Sequence, residues 1–271
     1  MAPPPPAPAP AFAAPRLRID TLSAGYGKRR ILDGLTLPAI EGGGVTALIG
    51  PNAAGKTTLL RALAGLVPAR GSIRLDDVEL TGLSAAGHAR FVTYMPQALP
   101  QRVALTVFEA TLSALMSASD DALSTMEAHE RALAALERLG IAELALRGLD
   151  ELSGGQRQLA SLAQSLVREP TVLLLDEPTS ALDIHHQLRV MQLVEELARE
   201  RSIIVVIVLH DIAQAARYAR RIVVLEKGAV AADGTPHEAI TPAMLARVYK
   251  VEARVETCAR GFLQVIVDRA L

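Results

Sequence analysis

One short segment of the sequence combines the residue types that bind phosphate groups. Residues 49–59 read IGPNAAGKTTL, and the residues that fit the pattern G-x-x-x-x-G-K-[ST] are Gly50, Gly55, Lys56 and Thr57. Small residues in such a loop let backbone N–H groups turn inward around phosphate oxygens, and a following helix adds the positive end of its dipole. We expect the Lys56 ammonium to reach the β- and γ-phosphates of a nucleotide and the Thr57 hydroxyl to ligate Mg²⁺.

The residues on either side give this pattern its structural context. Residues 45–49 are almost entirely apolar and predict a strand that is covered on both faces. After the loop, leucines recur at helical spacing at Leu59, Leu60, Leu63 and Leu66. The alternative is a glycine loop that caps an ordinary helix, but the strand–loop–helix order favours a phosphate-binding loop. The nucleotide-binding residues predicted in this loop are Gly50, Pro51, Asn52, Ala53, Ala54, Gly55, Lys56, Thr57 and Thr58.

Two adjacent acids follow a second apolar strand. Residues 171–175 read TVLLL, and Asp176 and Glu177 come directly after them. A carboxylate at the carboxyl end of a parallel strand points into the crevice where ligands bind. We expect Asp176 to hold Mg²⁺, directly or through water, and Glu177 to orient and deprotonate the attacking water. The alternative, a polar strand end that merely stops the sheet, is disfavoured because two acids occur together in a chain with a phosphate loop.

A third apolar strand, over residues 203–209, ends in His210 and Asp211. Taken alone, these two residues predict the start of a helix with Asp211 in its first turn. As at Asp176, an apolar strand is followed directly by a polar residue. His210 is therefore also a candidate for contact with a γ-phosphate.

Residues 152–158 read LSGGQRQ and predict a second glycine-rich helix start. One face of the helix that follows carries Leu159, Leu162, Ala163, Leu166 and Val167. The chain therefore has two helix starts that could bind anions.

From Arg16 onward the sequence resembles the nucleotide-binding subunits of ABC transporters. The motifs occur in the family's order: Tyr26 as the adenine-stacking aromatic, the phosphate loop, Gln97 in YMPQ, LSGGQ at 152–156, Asp176 and Glu177, the D-loop at 180–183, and His210 as the switch histidine. In that family two subunits pack head to tail, and the LSGGQ helix of each closes on the ATP that the other holds. The resemblance implies ATP and Mg²⁺ as the bound nucleotide and ion.

The resemblance also assigns roles to residues outside the phosphate loop. It adds to the nucleotide-binding set Tyr26, Ser153, Gly154, Gly155, Gln156 and Asp183. It gives a catalytic set of Glu177, His210 and Gln97, and a metal-binding set of Thr57, Gln97 and Asp176. Since Glu177 is intact, both sites of a homodimer are expected to hydrolyse ATP.

Two positions of the loop depart from the family pattern. Thr57 stands where serine is commoner, but it supplies the same hydroxyl. Ala53 stands at a position that is often glycine. Because a Cβ is penalised at positive φ, the alanine predicts a backbone angle that does not require φ > 0.

The fold implied is α/β, a P-loop NTPase with a RecA-like parallel sheet core, an antiparallel β subdomain and an α-helical subdomain. We expect a disordered Pro/Ala-rich tail over 1–15, the cassette over 16–250, and a short extension over 251–271. The helical subdomain is expected at about 98–160, linked to the sheet through Gln97. Its expected apolar core positions are Met126, Leu133, Leu136 and Leu139. Near the end of the chain we expect a hairpin that turns at Gly228, a helix that starts at Thr241 and Pro242, and a strand over 265–267.

Composition narrows the class of protein further. Lys and Arg (28) nearly balance Asp and Glu (29), and aromatic residues make up only 3% of the chain, so a nucleic-acid surface is not expected. The single cysteine, Cys258, excludes an internal disulfide. No apolar stretch approaches the ~20 residues of a membrane span, and the N-terminal residues lack the pattern of a secretory signal.

Among ABC proteins, the chain resembles importer ATPases. It has no fused spans, no tandem cassette, and only 97 positions between Lys56 and Ser153, too few for a long coiled coil. The expected partners are a second copy of the chain, two integral membrane permease subunits and, indirectly, a substrate-binding protein, at the cytoplasmic face of the inner membrane. The segment ALDIHHQL resembles the ferric-siderophore branch, with haem, cobalamin or another metal complex as alternatives. A soluble regulatory or nucleic-acid-associated ABC ATPase is the alternative from a different class.

The adjacent histidines at 185 and 186 could suggest a metal site. Neighbouring side chains on a helix point about 100° apart, which makes a shared ion difficult. We interpret them as part of a helix start near the dimer interface.

Overall fold

The computed structural model describes residues 14–97, 104–117 and 123–271. Its strands are β1 (Arg16–Tyr26), β2 (Arg29–Glu41), β3 (Gly44–Ile49), β4 (Ala69–Leu75), β5 (Val78–Glu79), β6 (Val92–Met95), β7 (Val172–Asp176), β8 (Ile204–Val208), β9 (Arg221–Glu226), β10 (Ala229–Gly234), β11 (Val251–Thr257) and β12 (Leu263–Ala270). Its helices are α1 (Lys56–Leu63), α2 (Ala85–Ala89), α3 (Val107–Met116), α4 (Thr125–Arg138), α5 (Gly154–Leu166), α6 (Ile184–Arg201), α7 (Ile212–Tyr218), α8 (Pro236–Ala239) and α9 (Pro242–Met244). Short 3₁₀ turns occur at Ala142–Leu144 and Leu149–Glu151, and a π-helical turn at Leu245–Tyr249.

A six-stranded sheet in the order β10-β9-β3-β8-β7-β6 forms the centre of the fold. The five strands from β9 to β6 are parallel, and β10 pairs antiparallel with β9 at one edge. Alternate residues of the central strands join two different apolar clusters, because both faces of the sheet are covered. The carboxyl ends of the parallel strands meet at one edge, which brings together the loops that follow β3, β6, β7 and β8.

A second, antiparallel sheet packs on one side of α1. Its order is β2-β1-β4-β5, and its apolar residues share a cluster with leucines of α1. The turn between β1 and β2 places Tyr26 near the start of that helix. Helix α1 ends at Leu63, and Gly65 follows with φ +69°. Leu66 was predicted to continue the helix, and this was wrong: it lies beyond the end and is 61% exposed.

The helices α3, α4 and α5 pack beside the central sheet. Helices α3 and α4 both begin at capping boxes, in which Thr106 pairs with Glu109 and Ser124 pairs with Glu127. Of the region expected to form the helical subdomain, residues 98–103 and 118–122 lie outside the described residues, as does most of the expected tail.

The core side predicted for α4 was partly wrong. Leu136 and Leu139 are buried, but Met126 is 71% exposed and Leu133 is 41% exposed. The buried positions within the helix are Ala128, Ala132 and Leu136, which recur every four residues. Because alanine lets helices approach closely, this face packs inward, and residues 126 and 133 fall on the other side.

The chain ends in a hairpin of β11 and β12 that packs against α7. The Arg217 guanidinium lies 4.8 Å from the centre of the Phe262 ring, which joins the hairpin to that helix. None of the helices in the described part of the chain is long and apolar enough to cross a membrane.

His88 predicts how the stability of this fold depends on pH. It lies on α2, is 5% exposed, and packs so closely on Gly65 that a Cβ there would be 2.6 Å from its ring. Burial lowers the pKa of His88 below its ordinary value. Below pH 6.5 the unfolded chain therefore binds a proton at His88 more readily than the folded chain does. The free energy of unfolding keeps its full value above pH 6.5 and decreases as the pH falls below it.

We therefore expect the free energy of unfolding in urea to fall between pH 7 and pH 5, and His88→Leu to flatten that dependence. His237→Gln, at an exposed histidine, is the matched control and should leave the dependence unchanged. An equal slope in wild type and His88→Leu would contradict the assignment.

Candidate active site

The phosphate loop connects β3 to α1 and closes around a lysine. Lys56 is the first residue of the helix and is 6% exposed. Its Nζ donates to the carbonyl oxygens of Gly50 at 2.7 Å and Pro51 at 2.9 Å. Burial lowers the pKa of Lys56, while the nearby Glu177 and Asp176 raise it. The ammonium is thus held inside the loop, close to two carboxylates.

The prediction for the backbone at Ala53 was wrong. Ala53 has φ +62°, in the left-handed region, between Gly50 at +144° and Gly55 at +105°. The loop must turn its N–H groups to the inside, and this curvature requires positive φ at position 53 whichever residue stands there. The alanine therefore carries a strain of roughly 1 kcal/mol that a glycine would not.

Ala53→Gly is expected to raise the free energy of unfolding by about 0.5 kcal/mol, because relief of the strain exceeds the extra entropy of glycine in the unfolded chain. Denaturant titration of the two proteins measures this. Ala54→Gly is the matched control: Ala54 is 2% exposed and has no positive φ, so glycine there should destabilise. A loss of stability in Ala53→Gly would contradict the interpretation.

The carboxylate of Asp176 lies across from the phosphate loop, at the end of β7. It is fully buried, and burial raises its pKa, while hydrogen bonds from two hydroxyls oppose that rise. Thr57 Oγ1 donates to Asp176 Oδ1 at 3.1 Å, and the Tyr94 hydroxyl donates to Oδ2 at 3.0 Å. A buried carboxylate beside a threonine hydroxyl is a hard oxygen donor set, so these residues fit Mg²⁺.

Glu177 lies between two polar side chains at the mouth of the same site. Gln97 Nε2 donates to Glu177 Oε2 at 2.6 Å, and His210 Nε2 contacts Glu177 Oε1. The Gln97 amide thus contacts Glu177 and not the pair of Thr57 and Asp176 with which it was grouped as a metal ligand. Glu177 itself has φ +54°, a strained backbone of the kind found at functional sites.

Ten of the predicted site residues line one cavity of about 430 Å³, together with Arg29 and Ile31. The predicted residues that line it are Tyr26, Asn52, Ala53, Ala54, Gly55, Lys56, Thr57, Thr58, Glu177 and His210. A larger cavity, about 660 Å³, lies beside the turn between β1 and β2 and is lined by Lys28, Arg29, Arg30 and Arg70 among others. None of the described residues that line it carries a carboxylate, whereas Glu177 lines the smaller cavity, which is therefore the candidate for hydrolysis.

The LSGGQ segment and Asp183 do not line that cavity. Ser153 caps α5 and forms a capping box with Gln156, and Ser153 and Gly154 are exposed. Asp183 caps α6 and accepts from the backbone N–H of His186 at 2.9 Å. These residues therefore do not face their own chain's phosphate loop.

Gln158 is a site residue that the sequence reasoning did not single out. It is 5% exposed, and its Nε2 donates to the carbonyl oxygen of Glu177 at 2.6 Å. Its Oε1 accepts from the backbone N–H of Ala181 at 3.0 Å. The Gln158 amide thus connects α5 to the backbone of Glu177, the candidate general base. The available signal was a polar residue two positions after LSGGQ, at the start of a helix with an apolar face.

The two histidines at the start of α6 do not form a metal site. His186 Nδ1 contacts Asp183 Oδ1 at 2.8 Å, and the two imidazole rings lie edge to face, 5.4 Å apart. The described residues contain no group of three or more metal-ligating side chains.

Comparison with known proteins places this geometry in a family. The sequence pattern of the ABC transporter family matches residues 33–180. The ferric enterobactin transport ATP-binding protein FepC of Escherichia coli (strain K12) is 38% identical over 244 residues, covering 89% of each chain. The hemin import ATP-binding protein HmuV of Rhodopseudomonas palustris (strain HaA2) is 38% identical over 238 residues, covering 82% of this chain and 86% of that protein. Among solved structures, a dimeric bacterial ABC transporter cassette superposes with a TM-score of 0.75 at 27% identity, covering 81% of this chain and 98% of the other.

Proposed function

The chain belongs to the ABC transporter family as an ATP-binding subunit that hydrolyses ATP, and from this we propose that it drives uptake of an iron–siderophore complex through separate membrane subunits. The observation that carries the proposed chemistry is the position of Glu177. It lies between Gln97 and His210 at the mouth of the cavity that the phosphate loop lines. A carboxylate in this position can take a proton from a water aimed at a γ-phosphate.

We propose the following roles for the residues around ATP. The loop N–H groups and the start of α1 hold the phosphates, and Lys56 turns from the carbonyls of Gly50 and Pro51 to the β- and γ-phosphates. Thr57 and Asp176 would hold Mg²⁺, which supplies charge neutralisation on the phosphates when it is bound. Tyr26, 45% exposed, offers its ring to the adenine.

A second copy of the chain completes the site in this proposal. The LSGGQ helix start and Asp183 lie outside the cavity of their own chain. Ser153 and Gly154 are exposed and therefore accessible to another molecule. Their N–H groups would stabilise the γ-phosphate that the opposite phosphate loop holds. ATP would thereby join the two copies, and hydrolysis at Glu177 would release them.

The remaining assignments are part of the same proposal. We assign the cassette to 16–250, its helical subdomain to about 98–160, a tail to 1–15 and an extension to 251–271. The assembly would lie at the cytoplasmic face of the inner membrane, bound to two permease subunits. A substrate-binding protein would pass the cargo to those permeases. Nucleic acid is not proposed as a partner, because positive and negative charges nearly balance.

Uptake of iron-loaded siderophore by cells that lack this chain tests the proposal. Uptake should be lost, return with the native chain, and stay lost with Lys56→Ala. Unchanged uptake would contradict the iron–siderophore assignment. The cargo would then be haem, cobalamin or another metal complex. Haem is the leading alternative, because the hemin import relative is as similar, at 38% identity, as the ferric enterobactin relative.

Membrane fractionation separates this function from that of a soluble regulatory ATPase. An importer motor should sediment with membranes that contain its permeases and should remain in the supernatant without them. A chain that never sediments would contradict the role in import.

A further inference from the structure

A tyrosine to which the sequence analysis gave no role, the first residue of the YMPQ motif, contacts the buried carboxylate of the site. Tyr94 lies on β6, which pairs in parallel with β7, and Tyr94 stands opposite Leu174, two residues before Asp176. The phenol is partly buried and donates its hydrogen bond to Asp176 Oδ2 at 3.0 Å. The pairing of neighbouring strands thus places the Tyr94 hydroxyl beside the Asp176 carboxylate, although the two residues are 82 positions apart in the sequence.

The two oxygens of Asp176 have different partners. Oδ1 faces the Thr57 hydroxyl at 3.1 Å, whereas Oδ2 is occupied by Tyr94. Because Asp176 is fully buried, these two hydroxyls satisfy the hydrogen-bonding needs of its oxygens. Engagement of Oδ2 leaves Oδ1 as the oxygen that faces Thr57 and the phosphate loop.

Arg61 fixes the direction of the phenolic proton. Its Nε donates to the Tyr94 oxygen at 3.4 Å, and a phenol has only one hydrogen to donate. With the oxygen accepting from Arg61, the hydrogen is directed to Asp176. Arg61 lies one helical turn after Thr57 on α1, and its Nη1 also donates to the Tyr26 hydroxyl at 3.3 Å.

We propose that Tyr94, oriented by Arg61, is a positioning residue that fixes the rotamer of Asp176 so that Oδ1 faces the divalent cation of the nucleotide site. This inference rests on the proposed function, because it requires ATP and a divalent cation beside Thr57. It gives a role to a residue of YMPQ other than Gln97.

Nucleotide binding with and without a divalent cation tests the proposal. ATP is titrated calorimetrically in excess Mn²⁺ and in EDTA, with Glu177→Gln as the common background so that ATP stays intact. Tyr94→Phe keeps the ring and removes only the hydroxyl. We expect the gain in ATP affinity that Mn²⁺ provides to fall about tenfold, the scale for loss of a hydrogen bond to a charged group. Affinity in EDTA should stay within about twofold, because the phosphate loop is unchanged.

Tyr218→Phe is the matched control. Tyr218 is 6% exposed, and its hydroxyl has no hydrogen-bond partner within the described parts of the chain, so its removal should leave both affinities unchanged. Arg61→Gln should reduce the Mn²⁺ gain about threefold, since the Tyr94 hydroxyl remains but loses its direction. Arg61 also contacts Tyr26, so its replacement could change the binding of adenine. That change would affect the titrations in Mn²⁺ and in EDTA equally, and it would therefore leave the Mn²⁺ gain in ATP affinity unaltered.

An unchanged Mn²⁺ gain in Tyr94→Phe, accompanied by a lower melting temperature, would overturn the inference and leave the hydroxyl a purely structural partner of a buried acid. If Tyr94→Phe is unfolded at the assay temperature, Arg61→Gln decides, and an unchanged gain there would equally overturn it. Failure of the parent protein to bind ATP more tightly with Mn²⁺ is a different result, because it would also contradict the proposed function.

Discussion

Replacement of Glu177 with glutamine is expected to lower ATP hydrolysis at least about a hundredfold while ATP binding persists, since loss of a general base typically costs 10²–10⁴ in rate. Glutamine keeps the size of the side chain and its contacts with Gln97 and His210, but it cannot accept a proton from water. The change therefore removes one chemical capacity and little of the packing. Phosphate release under saturating ATP and Mg²⁺ measures the rate.

The same variant should accumulate as an ATP-bound dimer. If a second copy closes on the nucleotide and hydrolysis releases it, a chain that cannot hydrolyse ATP remains closed. Gel filtration with ATP and Mg²⁺ should then show a dimer for Glu177→Gln and a monomer without nucleotide. Glu196→Gln, at an exposed position of α6, should behave as wild type. A Glu177→Gln chain that stays monomeric with ATP bound would count against the head-to-tail dimer.

The backbone around Glu177 shows why the residue can hold this position. A φ of +54° is unfavourable for glutamate and persists only where surrounding contacts enforce it. The Glu177 carbonyl accepts from Gln158, and its N–H donates to the Val208 carbonyl at 3.2 Å. Contacts from α5 and from the neighbouring strand thus support the strained residue. We infer that rigidity of the base comes from these long-range contacts.

Much of the fold and part of the site were predictable because the signals are local. The α/β P-loop NTPase fold and the ABC family were predicted from motifs in order and are confirmed. The hairpin of β9 and β10 turns at Gly228, with φ +80°, as its sequence predicts. Thr241 accepts from the N–H of Met244 at the start of α9, as the Thr-Pro pair predicts. The turn and the helix start are decided by residues within a few positions of one another, whereas the family was predicted from the order of short motifs along the chain.

The features that the sequence did not reveal depend on contacts between distant segments. Tyr94 reaches Asp176 across 82 positions, and Gln158 reaches Glu177 across 19. Neither partner is adjacent in sequence, so no spacing rule identifies them. Ala53 is a different case, because its positive φ follows from the curvature of the whole loop and outweighs the local preference of alanine. Met126 was placed in the core because apolar spacing alone does not say which face of α4 packs inward.

Lys56→Ala is expected to weaken ATP binding at least about a hundredfold, because hydrogen bonds to charged groups contribute about 1.5–3 kcal/mol each and the ammonium would contact two phosphates. The variant also leaves the carbonyl oxygens of Gly50 and Pro51 without their buried donor. We therefore expect a lower melting temperature even without nucleotide. Calorimetric titration with ATP and thermal unfolding measure the two effects separately.

Two further variants separate the charge of Lys56 from its shape. Lys56→Arg keeps the charge, but a planar guanidinium does not reproduce the compact ammonium that contacts the carbonyls of Gly50 and Pro51, so binding should still fall. Lys28→Ala removes an exposed lysine near the turn between β1 and β2 and should leave ATP affinity unchanged. Wild-type affinity in Lys56→Arg would mean that a positive charge alone is sufficient. Wild-type affinity in Lys56→Ala would contradict the phosphate-binding role, since no other lysine lines the cavity.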